Sequence, residues 1–87
     1  MKIKDGFVLR EVAGSFIVVA VGEAVKTFNG LINLNETGAF LWRILEKGAE
    51  KEDLIAQLLA EYEVDEKTAA SDVDNFINKL SEAKLVK

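Results

Sequence analysis

Apolar positions change their period once along this chain, and the change divides it into two blocks. From Phe7 to Val12 apolar and polar residues half-alternate, and from Ser15 to Val21 a near-continuous β-branched run follows. Both read as strands. Ala13-Gly14 between them suits a tight hairpin, because Gly14 takes positive φ without steric penalty. Gly22-Glu23-Ala24 interrupts the second strand, and Asn29-Gly30 offers a type I′ turn or a bulge. Leu31 to Leu34 is the last strand of the block. The expectation is a three-stranded antiparallel meander.

Beyond Leu34 the period becomes helical. Asn35 is a good N-cap with Glu36 in the first turn, where negative charge is favoured. Phe40, Leu41, Ile44 and Leu45 then share a face, and Gly48 suits the C′ position after that helix. A second helix is predicted over about residues 50–62, with Leu54, Ile55, Leu58, Leu59 and Tyr62 on its buried stripe. Glu50, Glu52 and Asp53 crowd its N-terminal end, as the macrodipole prefers. Asp65 caps a third helix that carries Ala69, Val73, Phe76, Ile77 and Leu80 and ends near Ala83. Leu85-Val86 follow as a short tail. Strands first and helices after define an α+β class, an order also found in winged-helix variants. The 87 residues form one domain by length, with no repeat, no low-complexity stretch and no proline to mark a linker.

Composition narrows the chemistry mainly by absence. The chain has no Cys and no His, which removes disulfides, thiolate metal sites and the Ser-His or Cys-His catalytic pairs. Any metal site would be all-carboxylate, and no cofactor is called for. The 15 carboxylates include neighbours such as Glu52/Asp53 and Asp72/Asp74. They fall at helix starts or on polar faces, where solvated surface charge is the expected state. The chain is not read as an enzyme.

A net charge of −4 repels phosphate backbones and anionic lipid. A helix-turn-helix reading would make the third helix the reading element. That helix has Glu66, Asp72, Asp74 and Glu82 against Lys67 and Lys79, so nucleic acid is disfavoured as a partner. No segment reaches the ~20 apolar residues of a membrane span. The opening Met1-Lys2-Ile3-Lys4-Asp5-Gly6 is too short and too charged for a signal peptide, which gives the expectation of a cytoplasmic protein.

Peptide binding remains. A three-stranded sheet has two edges, and natural proteins usually blunt them. The segment Gly30-Leu31-Ile32-Asn33 carries no Pro and no Lys, with Asn33 as its polar guard. A peptide strand added there gains grip from backbone bonds and selectivity from side-chain pockets. Each bond contributes only ~0.5–1.5 kcal/mol net, whereas micromolar affinity needs about −8 kcal/mol. Apolar anchors must supply the difference at ~25 cal/mol per Å². Trp42, beside the stripe of the first helix, reads either as a half-buried structural residue or as a partner-facing anchor.

The run Leu34-Asn35-Glu36-Thr37-Gly38-Ala39-Phe40-Leu41-Trp42 is similar to the LNxTGxxxW signature of PqqD-like proteins. Phe28-Asn29-Gly30-Leu31 resembles that family's approach to the junction. Tyr62-Glu63-Val64-Asp65, then Asp72-Val73, Phe76 and Leu80, resemble its C-terminal spacing. The resemblance runs from Phe7 to Val86. Family members often have Gly before the terminal apolar pair, where this chain has Lys84.

The resemblance implies a recognition element of the kind that serves the biosynthesis of PQQ and other ribosomally made peptides. Such a domain binds the leader segment of a precursor peptide and presents it to a modifying enzyme, often a radical S-adenosylmethionine (radical SAM) enzyme. The leader adds antiparallel to the third strand, in a groove walled by the third helix. Carried over, Gly30, Leu31, Ile32 and Asn33 would supply backbone bonds, and Val73, Phe76, Ile77 and Leu80 would line or support the groove. Two rival readings are a winged-helix DNA-binding protein and a homo-oligomeric adaptor. In the second, the third strand pairs with its own copy in a homodimer.

Overall fold

In the computed structural model, which describes residues 1–28 and 30–87, the chain opens with a hairpin of β1 (Phe7–Val12) and β2 (Ser15–Ala20). Both loop residues have positive φ, 52° at Ala13 and 81° at Gly14, the combination that matches a type I′ turn to the right-handed twist of its strands. A short 3₁₀ turn, Gly22–Lys26, follows the second strand. The third strand, β3 (Leu31–Leu34), pairs antiparallel with β2, so the sheet order is β1-β2-β3. The turn expected at Asn29-Gly30 falls in part on Asn29, which lies outside the described residues; Gly30 has φ 112°.

Three helices complete the α+β fold: α1 (Glu36–Leu45), α2 (Lys51–Glu61) and α3 (Glu66–Glu82). Each has a chemical reason to begin where it does. The Asn35 side chain accepts the Gly38 N–H at 2.7 Å, and the Asp65 carboxylate accepts the Thr68 N–H at 2.7 Å. That second bond holds the Asp65 carboxyl below the usual carboxylate range. At α2, Asp53 reaches back to the Glu50 N–H at 3.0 Å, one half of a capping box.

The sheet lays one face on the helices. Leu9, Phe16, Val18, Ile32 and Leu34 pack into a core with Leu41, Trp42, Leu45, Leu54, Leu58, Val73, Phe76 and Leu80. The buried residues of α1 are Gly38, Ala39, Leu41, Trp42 and Leu45, so Phe40 and Ile44 stand on its flank, half-buried. Phe40 stacks edge-on with Tyr62 at 5.4 Å. Trp42 is therefore neither half-buried nor partner-facing. It is fully enclosed, and its indole N–H has no partner among the described residues.

The tail after α3 is reversed by a Schellman motif: Leu85 N–H bonds Leu80 O at 2.9 Å and Lys84 N–H bonds Ser81 O at 3.0 Å. Lys84 sits at C′ with φ 62°, a conformation that disfavours any side chain with a Cβ. Leu85 is driven fully into the core, and Val86 bridges to Ile3. Replacing Lys84 with Gly should remove the strain at the cap. We expect Lys84→Gly to stabilise the fold by about 0.5–1 kcal/mol, measured by urea denaturation with an unchanged m-value.

Candidate functional site: the free edge of the sheet and the cleft beside it

A two-residue loop closes on a hydrogen-bonded pair, here Val12 opposite Ser15. Pairing alternates along an antiparallel ladder, so Arg10–Ile17 and Val8–Val19 are also bonded pairs. The backbones of Phe16 and Val18 then point the other way, to Leu34 and Ile32 of β3. It follows that Leu31 and Asn33 turn both their N–H and C=O outward, away from β2. Among the described residues no strand pairs on that side. The edge thus offers two donors and two acceptors in one row. The same alternation sends the backbone of Ile32 inward to the ladder, and Gly30 precedes the strand.

Beside this edge lies a cleft of about 280 Å³. One wall is the strand-to-helix junction, with Leu34, Asn35, Thr37, Gly38 and Leu41; the other is α3, with Asp72, Asn75, Phe76 and Lys79. The four α3 residues follow the i, i+3, i+4, i+7 spacing of one helical face. Gly38 sits where the walls meet. A Cβ there would stand 3.1 Å from Asn35 Oδ1 and 3.3 Å from Leu34 Cβ, tight against both. Asn35 has two tasks at this point, capping α1 and forming part of the cleft.

Of the α3 residues singled out in the sequence, Phe76 reaches the cleft while remaining 5% exposed. Val73 and Leu80 are fully buried behind it, and Ile77 is half-buried and outside the lining. They support the wall from within. Leu31 is 51% exposed at the edge, an unusual exposure for a large apolar side chain. Sequence reasoning missed the polar members Asp72, Asn75 and Lys79, because it searched for apolar anchors. Their regular spacing next to the core stripe was the available signal. Lys79 also donates to the Asn33 carbonyl at 2.8 Å, tying the two sides together.

The site offers outward backbone donors and acceptors beside a shaped cleft. Among the described residues no group of three His, Cys, Asp or Glu is arranged to hold a metal ion, and no helix is long and apolar enough to cross a membrane.

The third strand, with no paired neighbour on its outer side among the described residues, and a helix across a cleft from it give a geometry to which an extended backbone could be added. The chain belongs to the coenzyme PQQ synthesis protein D (PqqD) family, whose model matches residues 8–86. Two solved structures share the fold. One is TbiB1 in complex with the TbiA(beta) leader peptide, 25% identical, with a TM-score of 0.78 over 100% of this chain and 95% of that one. The other is lasso peptide synthetase B1 complexed with the leader peptide, 20% identical, with a TM-score of 0.75 over 99% and 95%. Among curated proteins none matches the chain.

The cap of α1 gives a direct test of how the cleft is held. Asn35→Ala removes the acceptor for the Gly38 N–H and should cost about 1 kcal/mol of stability. Asn35→Asp, which keeps an acceptor, should restore it. Thermal denaturation of the three proteins checks the order.

Proposed function

We propose that the chain, as one domain over residues 1–87, captures the leader segment of a ribosomally made precursor peptide by strand addition and acts by binding rather than by catalysis. The observation that carries this reading is the outward row of Leu31 and Asn33 beside the α3 cleft. A related protein of the same fold, TbiB1, is complexed with a leader peptide. The peptide lies antiparallel to β3 and forms up to four backbone bonds, two with Leu31 and two with Asn33. At ~0.5–1.5 kcal/mol each these fall short of micromolar affinity. Side chains of the peptide must therefore bury apolar surface against Leu31, Phe76 and the Leu34–Leu41 wall.

The bound leader is presented to a separate modifying enzyme of the radical SAM type or another class. That division of labour suits a site whose main offering is the outward backbone groups of Leu31 and Asn33. Titration calorimetry with synthetic leader peptides encoded beside the gene tests the reading. Binding tighter than ~100 μM supports it, and the absence of any such binding removes it.

The outward row makes a sharper prediction about the strand itself. Proline at position 33 deletes a donor that faces the peptide and leaves the β2–β3 ladder intact, as edge strands tolerate. Asn33→Pro should weaken leader binding by about tenfold or more while the protein stays folded. Ile32→Pro deletes a donor inside the ladder and should instead lower the melting temperature. Equal effects of the two on stability would refute the assigned edge.

A further inference from the structure

The hydrogen bond from Lys79 Nζ to Asn33 O spans 46 residues of sequence and 2.8 Å of space. It joins the α3 wall to one of the two outward-facing carbonyls of β3. Lysine is a common guard of exposed sheet edges, but here the guard comes from a helix across the cleft and not from the strand. A strand added to β3 would lie about 4.8 Å away. The ammonium, 2.8 Å from the carbonyl, stands well inside that distance.

We infer that Lys79 is a removable guard of the β3 edge. It holds the Asn33 carbonyl in the unliganded protein and is exchanged for a peptide N–H when a strand adds. The inference deepens the leader-binding reading and rests on it for the identity of the incoming strand. The contact itself is a property of the free protein. The same guard opposes pairing of β3 with a second copy of the chain, because the edge beside the exposed Leu31 has one acceptor fewer to offer. A helix-borne guard has an advantage over a strand-borne one. It swings back to α3 without altering the strand, so the edge is protected when empty and complete when filled.

Two variants of the full-length protein separate the guard from other roles. Lys79→Met keeps the alkyl packing and removes the donor; Lys79→Arg keeps a cationic donor. In titrations with the leader peptides encoded beside the gene, Lys79→Met should bind about three- to tenfold more tightly than the parent, as expected for losing one competing exposed bond. Lys79→Arg should stay near the parent. Unchanged or weaker binding by Lys79→Met overturns the guard. The carbonyl ¹³C resonance of Asn33 is a readout that needs no ligand. It should move in Lys79→Met, and in the parent on adding peptide. If no peptide binds either protein, the leader-binding reading fails by itself. The guard is then decided by that resonance, and a signal unmoved in Lys79→Met refutes it.

Discussion

One hydrogen bond governs where the chain turns from sheet to helix: the Gly38 N–H donating to Asn35 Oδ1 at 2.7 Å. It fixes the start of α1 one residue after β3 ends, leaving no slack in the connection. Because the reversal is that abrupt, Leu34 and Gly38 lie close, and a Cβ at position 38 would oblige its neighbours to give by a few tenths of an ångström. The short link sets α1 under the sheet with Leu41, Trp42 and Leu45 inward. The connection to α2 and α3 then brings the last helix alongside the same strand. The cleft is thus a product of the cap as much as of the residues that line it.

The sheet is the element that remains incomplete. Three strands cannot close on themselves, and among the described residues no further strand pairs with the outer side of β1 or β3. On β3 the exposed row is short, with Leu31 and Asn33 its only outward backbones, which limits nonspecific pairing. Burial on the opposite side is strong, since Val18 and Leu34 are anchored in the core, so the register of β3 is held firmly. A slip by one residue would send Leu34 to solvent and Asn33 to the core. A rigid register with an open side is the combination a strand-accepting surface needs. The acceptor row stays in place without a partner and gives no backbone ordering cost when one arrives.

Much of this architecture was legible in the residue pattern. The strand bounds at Phe7–Val12 and Leu31–Leu34 follow from alternation and turn residues, and the caps at Asn35 and Asp65 from side chains able to accept the free N–H groups of a first turn. The 3₁₀ turn at Gly22–Lys26 was not, because a single turn has no period to detect. The centre of the α1 stripe was misplaced for a related reason. Gly38 lies on the buried face but adds nothing to an apolar count, so the weight shifted toward Phe40 and Ile44 and away from Trp42. The site was only partly visible. A strand and a helix near one another followed from the family resemblance. Which backbones face outward needed the hairpin register, and the contact between Lys79 and Asn33 depends on a separation in sequence that no local pattern encodes.

The tail of the chain is committed to the N-terminal segment. A helix continuing past Ala83 would carry Leu85 and Val86 onward, away from the N-terminal segment they contact. Instead Lys84 adopts φ 62° and turns the backbone back. Leu85 enters the core, Lys4 N–H bonds its carbonyl at 2.8 Å, and Lys87 N–H bonds Lys2 O at 2.9 Å. The Leu85 carbonyl and the Lys87 N–H are therefore satisfied by the N-terminal segment. A left-handed lysine is an unfavourable local choice, outweighed by the burial of Leu85 and two backbone bonds. The left-handed turn at Lys84 thus sends the tail to the N-terminal segment, and the contact made with the β3 edge from the helical side is that of Lys79 with the Asn33 carbonyl.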